Sequence, residues 1–309
     1  MRSTWVNRRL ALEWLLGVAA GSGVGPVLHA SDAPVRLEVG NATIHVSLES
    51  DEFDLPKEAL LEWVTQSALA VSAYYGRFPV KHAGLRIALS EHGRISNGRS
   101  FGDGGARCRI SVGQHATLAD LHNDWELTHE MVHFGFPSVE DRHHWIEEGI
   151  ATYVEPIARA YVGKLTAEQV WGDMVRDMPQ GLPEAGDQGL DTTHTWGRTY
   201  WGGAIFCLLA DIGIRKHTGN AKGLQDALRA INSAGGTIEG DWPLQRAIQI
   251  GNKETGSTSL SELYEQMGSK PVTVDLPALW RQLGVSSSDH GVNFDSQAPL
   301  AAIRASILS

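Results

Sequence analysis

His129-Glu130-Met131-Val132-His133 is the stretch whose reading decides the fold. An α-helix turns about 100° per residue, so positions four apart return to the same face. Two imidazoles, from His129 and His133, then converge on one point. Glu130 lies about 100° around from His129 and about 60° from His133, which sets its carboxylate beside that point and not on it. Two neutral imidazoles with an adjacent carboxylate suit one zinc ion, and Glu130 is the expected general base toward a water. Catalytic zinc usually keeps three protein ligands and an open position, so a later segment must supply one more donor.

The segment Trp145-Ile146-Glu147-Glu148-Gly149 offers that donor in Glu148, with His143 and His144 as rivals in a polar loop beside Asp141 and Arg142. Fourteen residues, 134–147, separate His133 from Glu148. Upstream, Thr117 and Asp120 form a Thr-x-x-Asp capping pattern, followed by Leu121, Trp125 and the Met131-Val132 pair as apolar anchors. The expected helix therefore starts near residue 117 and carries the two histidines in its middle. A histidine-ligated pattern with a third His six residues on would place Gly at 136 and His at 139. The chain has Phe136 and Val139, which excludes it.

With these residues in place, the chain resembles the gluzincin metallopeptidases, in the branch of aminopeptidase N, leukotriene A4 hydrolase and the glycyl aminopeptidases. HEMVH is similar to the first motif of that branch. WIEEGIATYVE, from Trp145 to Glu155, resembles its W-x-x-E-G-x-x-x-Y-x-E segment, and Tyr200-Trp201-Gly202-Gly203-Ala204 resembles its downstream Y-x-x-G-A. The resemblance covers roughly residues 125 to 210. It implies one zinc ion per chain held by His129, His133 and Glu148, with Tyr200 stabilising a tetrahedral oxyanion and Glu147 standing where the family often has Asn. The chain departs from the pattern in two places. The family typically has eighteen residues between the second His and the ligand Glu, so the loop from Gly135 to His144 is shorter here. The family's Gly-x-Met-Glu-Asn strand, which grips a free α-amine, is missing from the sequence.

Other residues carry two readings each. The Tyr200 phenol can donate to an oxyanion formed only along the reaction path, or pack as a core aromatic at a helix start. His194 is a second candidate for the oxyanion role. Glu155 is either a carboxylate orienting a liganding imidazole or a solvated side chain just before Pro156, which should end or kink its helix. Arg198 is a candidate for a substrate carboxylate and otherwise a surface arginine.

The chain has 309 residues, 42% hydrophobic and 20% charged, with a formal net charge of -10. That is long enough for a full core, and its acidity argues against nucleic acid or anionic membrane partners. Asn7-Arg8-Arg9-Leu10-Ala11-Leu12 resembles the twin-arginine pattern, and Trp14 to Val27 reads as a short apolar region. Residues 1–30 are therefore expected to be an export signal, and the rest to act in the periplasm or outside the cell. Glu13, Pro26 and several glycines argue against a permanent membrane span. The two cysteines, Cys108 and Cys207, rule out a disulfide-dense scaffold and leave room for one bridge, though Cys207 lies in an apolar run typical of a core residue.

Strands are expected over 35 to 50, turning at Gly40-Asn41, then Leu85 to Ser90 and Ala106 to Val112, the last as a sheet edge lining the cleft. Asp54 is the expected cap of a helix ending before Gly76. Thr166, Asp241, Ser259 and Asp275 read as later helix caps. The expected class is α+β: a zincin-like lobe over 31–160, with a mixed sheet and the histidine helix, then a mainly helical lobe over 161–309. The function expected is zinc-dependent hydrolysis of peptide bonds in a peptide or protein substrate. Two alternatives stay open, a zincin-fold binding protein without turnover and a zinc hydrolase acting on a non-peptide bond. Oligomeric state is not encoded in any pattern above.

Overall fold

A computed structural model of the chain describes residues 33–91, 93–288 and 291–309. The expected export signal at residues 1–30 lies outside the described residues. The chain opens with β1 (Val35–Val39), β2 (Ala42–Leu48), α1 (Lys57–Tyr75), β3 (His82–Ser90), β4 (Ile95–Phe101) and β5 (Arg107–Gly113). A run of helices follows: α2 (Leu118–Asn123), α3 (Glu126–His133), α4 (His144–Tyr161) and α5 (Ala167–Asp177). The remainder is α6 (Gly203–His217), α7 (Leu224–Ser233), α8 (Leu244–Thr255), α9 (Ser259–Met267), α10 (Leu276–Leu283), a hairpin of β6 (Val285–Ser288) and β7 (Gly291–Phe294), and α11 (Ala301–Ile307). The architecture is α+β, a mixed sheet with helices followed by a mainly helical part.

The five-stranded sheet runs β1-β2-β3-β5-β4. β1 and β2 form the hairpin expected at Gly40-Asn41, with Val39 opposite Ala42 and Gly40 at φ 57°. β2, β3 and β5 are parallel, and β4 returns antiparallel to β5 on the outside. Because β5 inserts between β3 and β4, the sheet edge near the histidine helix is β4. The expected edge at Ala106 to Val112 is an interior strand instead. One face of the sheet is buried: Ile44 and Val46, Leu85 and Ile87, and Cys108 and Ile110 join Leu60, Val64, Ala68 and Val71 of α1 in one continuous core. The alternate residues Arg86, Arg107 and Arg109 stand on the solvent side, as a sheet covered on one face requires.

Helix starts follow local chemistry with several corrections. α1 begins at Pro56 with no side-chain cap, and the carboxylate of Asp54 instead meets His115 Nδ1 at 2.7 Å. Gly76 ends it in the left-handed region, as expected. Thr166 forms a full capping box with Gln169, and Asp275 caps α10 by accepting from Ala278 N. Asp241 caps nothing: it pairs with Ser138 in an isolated bridge, and α8 starts after Pro243. α9 is preceded by Thr258, whose hydroxyl reaches Glu262. Cys108 and Cys207 are both buried free thiols. Among the described residues, no helix is long and apolar enough to cross a membrane.

Candidate metal centre and active site

The histidine helix does not start at Thr117. The Thr117-Asp120 capping box is real, but it opens the short α2, which ends at Asp124. Asp124 then starts α3 afresh, its Oδ1 accepting from Glu126 N at 3.0 Å and its Oδ2 from Leu127 N at 3.1 Å. The same Oδ2 accepts the indole N–H of Trp63 at 3.0 Å, which ties the helix start to α1. Since α3 ends at His133, HEMVH fills its last turns and not its middle. Leu127, Met131 and Val132 pack into the apolar core, while His129 and Glu130, buried as well, lie with the half-buried His133 on the side that meets α4 and β4.

Burial pushes the Asp124 carboxyl up to about 6 against the three donors that favour its charge. A raised carboxyl contributes stability that is complete below its unfolded value near 4 and is lost as pH rises through about 6. Asp124→Asn is therefore expected to remove about 2 kcal/mol of pH dependence between pH 4 and 7. Urea unfolding of both proteins at pH 4, 5.5 and 7 checks this, and parallel pH profiles for the two would refute it.

Three donors meet at the end of α3. Glu148, on the first turns of α4, places Oε2 3.1 Å from His129 Nε2 and 3.6 Å from His133 Nε2. One donor atom from each of these residues lies within 4.8 Å of the others. Tetrahedral bonds of about 2.0 to 2.1 Å would put ligand atoms roughly 3.3 Å apart, so the set fits zinc in both donor type and spacing. Burial works against charge on Glu148, yet His133 and the hydrogen bonds of His129 and His144 hold its carboxyl well below the usual range. Burial likewise opposes charge on His133, and the carboxylates of Glu148, Glu130 and Glu147 together outweigh it, raising the imidazole to about 9. A cation entering between them would displace that proton.

Glu130 lies beside this cluster against the edge strand. Ser100 Oγ on β4 is 2.8 Å from both the Glu130 carbonyl oxygen and Glu130 Oε2, so its single proton serves one of the two at a time. One turn earlier, Glu126 Oε1 accepts the Gly98 backbone N–H at 2.6 Å, and burial raises its carboxyl to about 7. A Cβ on Gly98 would sit 2.8 Å from Glu130 Cγ and 3.1 Å from Glu126 Cγ, so only glycine lets the strand come this close. β4 is irregular here, with a register shift between Ser96 and Arg99 and Asn97 at φ 58°.

Tyr200 arrives from the helical part on a π-helical turn, Arg198–Gly202, that leads into α6. Its ring stacks on His129 at 6.1 Å and 21°, and on Trp196 at 5.5 Å and 22°. The turn is held against α4 by glycines: a Cβ on Gly149 would lie 2.4 Å from the Gly203 backbone, and one on Gly203 2.2 Å from the Trp145 carbonyl oxygen. Gly149, next to Glu148, thus lets the tyrosine segment pack directly on the ligand helix.

The remaining expected residues fall elsewhere. His194 is exposed and outside the donor cluster. Glu155 is buried and paired with Arg159 at 2.8 Å, which corrects the solvated reading, and α4 continues through Pro156 to Tyr161. Arg198 is also buried, donating to the Gly181 carbonyl at 2.5 Å, which corrects its reading as a surface side chain. His143 is fully buried too, its Nδ1 2.8 Å from Asp191 Oδ1, an oxygen that also accepts from Trp145 Nε1. His144 does approach the cluster, with Nε2 3.3 Å from Glu148 Oε1. Ser100 and Glu126 were not singled out from the sequence. A Ser on a strand some thirty residues upstream carries no local signal of its partner.

No protein-family model matches the chain, and no curated protein matches it by sequence. Among solved structures, an aminopeptidase N family protein from Idiomarina loihiensis superposes with a TM-score of 0.62 over 86% of this chain, at 12% identity. The chain has the aminopeptidase N family fold. It spans about half of that protein, 52% of its length. An M1 zinc metallopeptidase from Deinococcus radiodurans is a looser match, with a TM-score of 0.48 at 17% identity over 79% of this chain and 52% of its own. In the aminopeptidase N fold of this chain, the zinc-type donors and Tyr200 lie where α3, α4 and the turn before α6 meet.

Proposed function

We propose that this chain is a gluzincin-type zinc metallopeptidase that hydrolyses bonds in peptide or protein substrates. The observation that carries the reading is the meeting of His129, His133 and Glu148 with a further carboxylate, Glu130, beside that donor cluster and outside it. A site kept only for structure would need no such base. Zinc bound there supplies a Lewis acid that polarises a carbonyl and acidifies a water.

The chain's own groups divide the remaining work. Glu130 takes the water's proton on its carboxylate and delivers it to the leaving amine, with Ser100 Oγ 2.8 Å from its Oε2 as a hydrogen-bond partner. The Tyr200 phenol, stacked on His129, donates to the oxyanion that develops on the substrate carbonyl. An extended substrate lies along the edge strand β4, whose Gly98 permits close approach to Glu130.

Two measurements test the reading. Incubation with an unbiased peptide library should give cleavage that a chelator abolishes and added zinc restores, and no cleavage above a heat-inactivated control would sink it. With a cleaved peptide in hand, Tyr200→Phe is expected to lower kcat about 10²- to 10³-fold at unchanged zinc content, the usual cost of one oxyanion donor. Equal kcat values would assign the ring a packing role only.

A further inference from the structure

The carboxylate of Glu148 has two oxygens, and only Oε2 faces the two imidazoles. Oε1 lies 3.3 Å from Nε2 of His144, one helical turn earlier on α4. The other ring nitrogen of His144, Nδ1, is 2.8 Å from Glu147 Oε2. Glu147 is fixed in turn, because its Oε1 accepts the Val139 backbone N–H at 3.0 Å. The spacing makes this sequence of contacts geometrically natural: 144, 147 and 148 stand at i, i+3 and i+4 on one face of the first turns.

The anchor at its far end is also built in. Val139 belongs to the short loop between α3 and α4. Next to it, Ser138 N donates to the Gly240 carbonyl at 3.0 Å and Ser138 O accepts from Trp242 N at 2.9 Å. The loop is therefore clamped to the segment before α8, and the Val139 N–H is a fixed point from which Glu147, His144 and Glu148 are held in order.

We propose that His144 and Glu147 are positioning residues for the third zinc ligand, with His144 occupying Glu148 Oε1 so that Oε2 alone is offered to the metal. This rests on the zinc-site reading above. A long carboxylate side chain with one oxygen already engaged is ordered before the ion arrives, and it binds through one atom, leaving a coordination position for water and substrate. Partners of this kind behind a ligand typically account for about 10- to 100-fold in metal affinity.

The test compares the full chain with His144→Phe, His144→Gln, Glu147→Gln and Glu148→Ala, reading zinc affinity by chelator competition and the visible spectrum of the cobalt(II)-substituted proteins. His144 is half exposed, so its replacement leaves the core intact, and circular dichroism of the metal-free variants verifies folding. His144→Phe should weaken zinc about 10- to 100-fold, and its cobalt absorption should fall as Oε1 turns to make an additional bond. His144→Gln, which retains a donor one turn before Glu148, should recover affinity to within about threefold of wild type. Glu147→Gln should lie between the two. Wild-type affinity and cobalt spectrum in His144→Phe would overturn the proposal, as would a His144→Gln variant no better than His144→Phe. Glu148→Ala separates the two levels: if it loses zinc while His144→Phe does not, only the positioning role fails. If it keeps wild-type affinity, the zinc-site reading itself falls.

Discussion

Glu130→Gln is expected to bind a full equivalent of zinc and to cleave peptides at least about 10³-fold more slowly than wild type, near the upper range for loss of a general base. The substitution keeps the size of the side chain and its hydrogen-bonding oxygen, so the contact with Ser100 Oγ, now 2.8 Å from Oε2, has an acceptor or donor to meet. What it removes is the ability to take a proton. Metal content by elemental analysis, with kcat on the same preparation, checks both halves of this expectation. Full turnover would transfer the base role to another group, and Glu126, one turn before Glu130 on α3, is the carboxylate that would then be examined.

The second large effect concerns the metal. Glu148→Ala should lower zinc affinity by more than about a hundredfold, beyond what partners behind a ligand usually account for. Two imidazoles would remain, which is one donor short of an ordinary catalytic zinc site. The side chain is also the negative charge that offsets His133, so its loss leaves that imidazole buried without its main partner. Chelator competition on the wild-type and variant proteins measures the change. An unaltered dissociation constant would rule out a gluzincin-type site while leaving the two histidines on α3 as they stand.

The chemistry near one turn of helix was legible in the sequence because it is local. His129, Glu130 and His133 are related by helical spacing alone, and Glu148 follows once a third donor is sought within reach. Tyr200 needed the family resemblance, since nothing in its own surroundings distinguishes an oxyanion donor from a core aromatic. The break at Asp124 was hidden because the apolar anchors Leu121 and Trp125 continue the periodic pattern across it. The edge position of β4 was hidden for a topological reason: strand order β3-β5-β4 reverses two neighbours in the sequence, and no residue type records that.

Burial of polar residues was the other systematic miss. A solvent-facing side chain was one of the two readings of Glu155 and of Arg198, and His143 was placed in a polar loop, yet each is buried with a partner. For Glu155 the partner is four residues away, at Arg159. For His143 it is Asp191, which also receives Tyr264, and for Arg198 it is the Gly181 carbonyl. The His143 and Arg198 pairings are set by tertiary packing and leave no trace in their neighbours along the chain, whereas Glu155 and Arg159 stand at the i, i+4 spacing that a continuous helix brings together.

The contact between Gly149 and Gly203 has a mechanical meaning. With no side chain between them, the ligand helix and the tyrosine segment touch backbone to backbone, so a shift of either is passed directly to the other. A metal would lock α3 to the ligand helix through His129 and His133. On its other side α3 meets β4, joined to it by the Gly98 and Ser100 contacts and irregular at Asn97. Because Gly98 and Ser100 meet Glu126 and Glu130 directly, a change of backbone within Ile95–Phe101 is passed to those two carboxylates as well.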